Sequence, residues 1–111
     1  MPKVYVLNSF GHDFSNAEKY GELVIISEDR LPIFKFNTIA DMFKNTLNQF
    51  TKEDFMLVSG SPVLGMIAIT MLQAKFSEVK LLIFDAKMQD YEVRHMSIGA
   101  IKARMEVDLN G

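Results

Sequence analysis

The stretch Asp54–Asp85, DFMLVSGSPVLGMIAITMLQAKFSEVKLLIFD, holds an apolar strand, a tight Ser/Gly/Pro turn, an almost wholly apolar helix and a second apolar strand. Both strands are too apolar to stand half in water, and the helix between them is long enough to cross over. The pattern therefore predicts a βαβ unit with parallel neighbouring strands in a sheet covered by helices. The turn itself reads as a helix start, with Ser61 as N-cap and Pro62 at the first helical position.

Upstream of this unit, Ile39, Met42, Phe43, Leu47 and Phe50 recur at intervals of three and four, while Asp41, Lys44, Asn45, Asn48 and Gln49 occupy the other side. This is an amphipathic helix expected to lie on the sheet, opened by a capping pair of Thr38 and Asp41. Before it, IFKF (33–36) is expected as a strand near an edge, after a turn in which Pro32 cannot join a ladder. Lys3 to Leu7 predicts a short strand buried on both faces, and Glu22 to Ser27 predicts another. Between them, the loop NSFGHDFSNAEKYG has room for one or two helical turns, with Ser15 and Glu18 as a capping box and Gly21 as the stop.

Downstream, KMQD reads as a turn into YEVRHMSI, an antiparallel edge strand. In the tail, Ile101, Ala103, Met105, Val107 and Leu109 alternate with Lys102, Arg104, Glu106 and Asp108, although several of these are good helix formers. The alternation places all five apolar residues on one face, so 100–111 is expected as an extra edge strand or tail. The fold class is α/β: one Rossmann-like domain over 1–111, in two or three layers, with a mostly parallel sheet and antiparallel edge strands.

Composition bounds the function. The 111 residues suffice for one core, and 49% hydrophobic with 23% charged residues is the balance of an ordinary globular chain. Twelve basic and fourteen acidic residues give a formal charge of −2 without a basic block, so nucleic acid is not an expected partner. No cysteine is present, which removes disulfides, thiolate nucleophiles and thiolate metal ligands. The N-terminus runs directly into a strand pattern, and the longest apolar run, Val63 to Leu72, is about half of what a membrane-spanning helix requires. A cytoplasmic protein with no membrane partner is the expectation.

The second helix is apolar nearly all round: between Val63 and Phe76 only Thr70, Gln73 and Lys75 are polar. Such a helix is expected to be buried all round, and in so small a domain the second cover comes from self-association or from the tail. A homo-oligomer is the simpler expectation. The eight methionines read mainly as adaptable core filler.

No catalytic or metal signature is complete. In open α/β sheets the ligand crevice lies beyond the carboxyl ends of the parallel strands. Three segments meet there if the first strand joins the parallel set: Asn8 to Asp13, Ser59 to Gly65, and Asp85. Gly60 and Gly65 have the glycine spacing of a phosphate loop, but Met66 and Ile67 replace its lysine and hydroxyl, so nucleotide hydrolysis of that type is excluded. What remains is a helix N-terminus with free amides for an anion, or a turn built for compactness. His12 is a candidate acid or base, oriented by Asp13 or Asp85, or else a residue that positions a ligand. The only other histidine, His95, falls in the expected edge strand, so no metal site is expected, and no serine-triad elbow is present. Phe10, Phe14 and Tyr20 either plug the end of the sheet or wall an apolar pocket whose rim is Asn8, Ser9, His12 and Ser61. Asp85 is either a turn residue or a carboxylate for ribose or amine recognition.

The run GHDFSNAEKYGELVIISE, with DFMLVSGSPVLG and a strand ending in KLLIFD, resembles a family of short proteins of tailed-phage genomes. The βαβ portion is also similar in architecture to nucleotide-sensing Rossmann-like domains of prokaryotic antiviral systems. The resemblance implies a viral origin and an accessory role in the infected cell, and it brings no functional residue with it. The expected function is that of a small oligomeric protein binding a nucleotide-like or other anionic molecule through Asn8, Ser9, His12, Asp13, Ser59, Gly60, Ser61 and Asp85. No cofactor is implied. The alternatives are an interaction protein that self-associates through its second helix without a ligand, and a small hydrolase or lyase using His12.

Overall fold

The computed structural model describes residues 1–110, with side chains through Met105. Five strands, β1 (Lys3–Val6), β2 (Glu22–Ile25), β3 (Phe55–Val58), β4 (Glu78–Asp85) and β5 (Asp90–Ser97), form one sheet in the order β2-β1-β3-β4-β5. The first four are parallel, and β5 returns antiparallel along one edge. Helix α1 (Phe36–Leu47) links β2 to β3, and α2 (Pro62–Leu72) links β3 to β4. The βαβ unit read from Asp54–Asp85 is β3–α2–β4, in register from Phe55 beside Lys80 to Val58 beside Ile83.

Alternation along the strands divides the core between the two faces of the sheet. Tyr5, Leu7, Met56 and Val79 point toward Ile39, Phe43 and Leu47 of α1 and Leu64, Ala68 and Leu72 of α2. The three buried residues of each helix are spaced by four, so each presents one stripe to the sheet. Val4, Val6, Phe55, Leu57 and Leu82 point the other way. There a 3₁₀ helix, Ser15–Tyr20, provides the cover through Ala17, Phe14 and Tyr20. β1 is thus covered on both sides, which explains its unbroken run of buried residues.

Burial raises the phenol pKa of Tyr5 above its ordinary value of 10.0, and the charge of Asp54 adds to the effect. Tyr91 is raised by burial and then by Asp13 and Asp90. Above pH 10 the unfolded chain releases these protons while the folded chain still holds them. The stability they contribute is complete below the unfolded value and is lost as pH rises through the folded one. The thermal midpoint is expected to fall above pH 10, with a shallower fall in Tyr5→Phe; an identical slope in that variant would assign the effect to other groups.

Three local expectations are corrected. The segment 33–36 is not a strand: Lys35 N donates to the Pro32 carbonyl at 2.8 Å in a turn, and Phe36 already begins α1. Phe34 and Phe36 project into solvent, 86% and 55% exposed, so the β-forming aromatics of this segment do not mark a buried strand. The Thr38–Asp41 cap is not used, because α1 starts three residues earlier, after Lys35 and without a side-chain cap. The Ser15–Glu18 box is replaced by an Asx turn in which Asp13 Oδ1 accepts from Ser15 N at 2.9 Å.

The tail, expected as an extra edge strand, is helix α3 (Ile98–Asn110). Ser97 Oγ accepts from Ala100 N at 3.2 Å, and Ile98 and Gly99 donate to the Ser77 carbonyl, so the chain turns away from the sheet where β5 ends. Capping outweighs alternation at this point. Gly111 lies outside the described residues. The second helix is also not enclosed within one chain: Met66 is 67% exposed, and a groove of about 320 Å³ between α1 and α2 is walled by Phe36, Ala40, Val63, Met66 and Ile67.

Candidate functional site

Strand order marks the candidate site. The chain passes from β1 to β2 through the 3₁₀ helix on one face, then from β2 to β3 through α1 on the other. The direction of winding reverses between β1 and β3, and a crevice opens beyond their carboxyl ends where successive connections leave on opposite faces. The loops 7–14 and 59–62 leave the sheet at this switch point.

A depression of about 190 Å³ occupies the crevice, lined by Asn8, His12, Arg30, Gly60 and Ser61 with Leu31 and Leu64 as apolar floor. His12 and Ser61, about fifty residues apart in the chain, therefore share one basin. Asn8 holds its wall: Nδ2 donates to the Asp29 carbonyl at 2.7 Å, and Oδ1 accepts from Phe10 N at 2.6 Å. Ser9 N donates to the Ser27 carbonyl, and His12 N donates to the Ser9 carbonyl, so Ser9 shapes the loop. Gly60 has φ +74°, a left-handed conformation that lets the chain turn from β3 into α2.

The expected N-cap is present. Ser61 Oγ accepts from Val63 N at 3.3 Å, Pro62 brings no N–H, and Leu64 N donates to the Ser61 carbonyl at 3.1 Å. The first amides of α2 thus have partners already, and the helix contributes mainly its dipole to an anion. The full positive charge comes from Arg30. Its guanidinium lies 5.3 Å from the centre of the Phe10 ring and, among the described residues, forms no ion pair. Arg30 is absent from the expected site. The signal was its position two residues before Pro32 in the loop after β2, which reaches the basin because β2 lies beside β1.

The remaining expected residues go elsewhere. Ser59 lines a neighbouring cleft of about 300 Å³ whose other walls are apolar, among them Leu7, Val58, Ile69, Leu81 and Met96; Gly60 and Ser61 belong to both hollows. Asp13 accepts from Ser15 N, which lowers its carboxyl pKa. Asp85 Oδ1 accepts from Lys87 N and Met88 N and closes the β4–β5 turn. Neither carboxylate hydrogen-bonds His12, so the orienting partner that acid–base catalysis needs is not formed. His95 pairs with Glu78 at the opposite end of the sheet (Nδ1 to Oε1, 2.9 Å). Of the three loop aromatics, Phe10 walls the basin, while Phe14 and Tyr20 cover the far face. Tyr20 meets Phe55 edge-on at 5.9 Å, and its hydroxyl donates to the Tyr91 carbonyl.

Among the described residues no group of three His, Asp or Glu side chains is arranged to hold a metal ion, and no helix is long and apolar enough to cross a membrane. The sequence profile of the phage Pam3 gp32-like protein family matches residues 2–98. No curated protein and no solved structure matches the chain.

Proposed function

The chain belongs to the phage Pam3 gp32-like protein family, and from that membership and the geometry of the switch point we propose a phage accessory protein that binds a small anionic, nucleotide-like molecule in the cytoplasm of the host. The observation that carries this reading is the adjacency of two unlike hollows across the turn Ser59–Ser61. The smaller sets Asn8, His12 and Arg30 around an apolar floor; the larger is apolar apart from the turn itself. A molecule with an anionic head and a flat apolar body fits that pair, the head toward Arg30 and the α2 N-terminus, the body in the cleft between α2 and β4. Binding is favoured over turnover because His12 lacks an orienting carboxylate.

A panel of nucleotides in a thermal-shift assay tests this. A ligand that binds only the folded state at about a hundred times its Kd adds about 2.7 kcal/mol to stability. Arg30→Ala is expected to weaken that ligand about 10- to 100-fold, the range for a hydrogen bond to a charged group. An unchanged affinity in Arg30→Ala would place the site elsewhere.

The exposed apolar side of α2 favours a second reading. Met66 and Phe36 stand at the groove between α1 and α2, and α2 carries no charged residue. This is the surface on which a homo-oligomer would form. A flat thermal response across the panel, together with a dimer in light scattering, would favour an interaction protein without a ligand.

A further inference from the structure

We propose that the opposite end of the sheet, where β4 begins, is a second binding site, for a ligand that carries at least two linked phosphates. A depression of about 360 Å³ there is lined by Lys52, Lys75, Lys80 and His95, with Phe76 and Glu78 in its wall. Lys52 comes from the loop before β3 and Lys75 from the turn after α2, while Lys80 and His95 are register partners on β4 and β5. Folding assembles this basic surface from four segments, which is why the chain shows no basic run.

Lysines outnumber carboxylates here, three to the single Glu78. Among the described residues none of the three lysines forms an ion pair. Lys75 Nζ donates to Asn48 Oδ1 at 3.0 Å, and Lys80 Nζ lies 4.4 Å from the centre of the Phe55 ring. Neutral partners thus hold two ammonium groups in place without cancelling them. The one carboxylate in the wall, Glu78, hydrogen-bonds His95 Nδ1 at 2.9 Å rather than any of the lysines. Lys52, Lys75 and Lys80 all line this one hollow, so a polyanion seated in it would be attracted by three cationic side chains at once. Lysines are point charges with several donors and suit phosphate oxygens, and three separated cations suit linked phosphates better than a single one. An adjoining hollow shares Lys75 and Phe76 and adds Lys102, extending the basic surface toward α3.

Calorimetric titration with inorganic triphosphate, orthophosphate and a nucleoside triphosphate tests the site. Triphosphate is expected to bind at least about tenfold tighter than orthophosphate, and the double variant Lys52→Gln/Lys75→Gln to lose about tenfold or more of that affinity. Arg30→Ala should leave it unchanged, which separates this site from the switch-point basin. Lys52→Gln alone, at an exposed loop position, should also weaken binding with the circular dichroism of the parent. A nucleoside triphosphate that binds as tightly as triphosphate identifies the phosphates as the recognised part; tighter binding identifies a nucleotide that also uses the Phe76 wall. No triphosphate binding at low salt, equal binding of orthophosphate, or indifference to both lysine variants would overturn the proposal.

Discussion

Asp54→Ala is expected to lower the unfolding free energy by about 2–4 kcal/mol, because it strips the partner from two backbone donors and a hydroxyl at once. Asp54 is a buried charged residue, 4% exposed. Its Oδ1 accepts from Lys3 N at 2.8 Å, and its Oδ2 accepts from Thr51 N at 2.7 Å and Thr51 Oγ1 at 3.1 Å. These bonds tie the start of β1 to the turn that launches β3, two strands paired only through Val4–Phe55 and Tyr5–Met56. The carboxylate lengthens a short ladder. Asp54→Asn keeps one acceptor and should fall between the parent and the alanine variant in a urea melt. An alanine variant with the parent's midpoint would show that water replaces the carboxylate at no cost.

Gly21→Ala is expected to cost a similar amount, about 2–4 kcal/mol, by collision rather than by loss of a bond. A Cβ at Gly21 would lie 2.3 Å from the Pro2 carbonyl oxygen and 2.9 Å from its carbon. Those atoms are backbone at the entry to β1, and they cannot rotate away as a side chain can. The φ of +156° adds strain for any L side chain. Relief requires β2 to withdraw from β1, which breaks the register that begins at Lys3–Glu22. At Gly11, where φ is +73° but nothing lies within 4 Å, alanine should cost less. Equal thermal midpoints for the two variants would contradict the steric account.

The β3–α2–β4 unit was legible in the sequence because its strands and helix are apolar in a way that only burial between layers satisfies, and because Ser61 and Pro62 mark a helix start by their own chemistry. The single-sided stripe of α1 was legible for the same reason in Ile39, Phe43 and Leu47. What could not be read depended on neighbours distant in the chain. Phe34 and Phe36 look like strand residues until the backbone turn at Pro32–Lys35 sends them into solvent. The alternation after Ile98 looks like an edge strand until Ser97 is seen to cap a helix. Asp54 appeared only as the first letter of an apolar strand, since its partners lie at Lys3 and Thr51.

The candidate site divides in the same way. Asn8, His12, Gly60 and Ser61 meet at one basin because they follow strands that are parallel, as expected. Arg30 joins that basin without a sequence motif to mark it, because its loop reaches it only through the pairing of β2 with β1. Asp85 was included by the rule that ligands gather at strand ends, but its carboxylate serves its own turn, the other reading that a short polar residue at a strand end admits.

The proposed anion site lies where β1 and β3 diverge. Amide chemical shifts recorded while isotope-labelled protein is titrated with a nucleoside monophosphate test it most directly. Saturable shifts are expected at His12, Arg30, Gly60, Ser61 and Leu64, as is their loss in Arg30→Ala. Saturable shifts confined to Lys52, Lys75 and His95, or none at the basin with ligand in large excess, would contradict it.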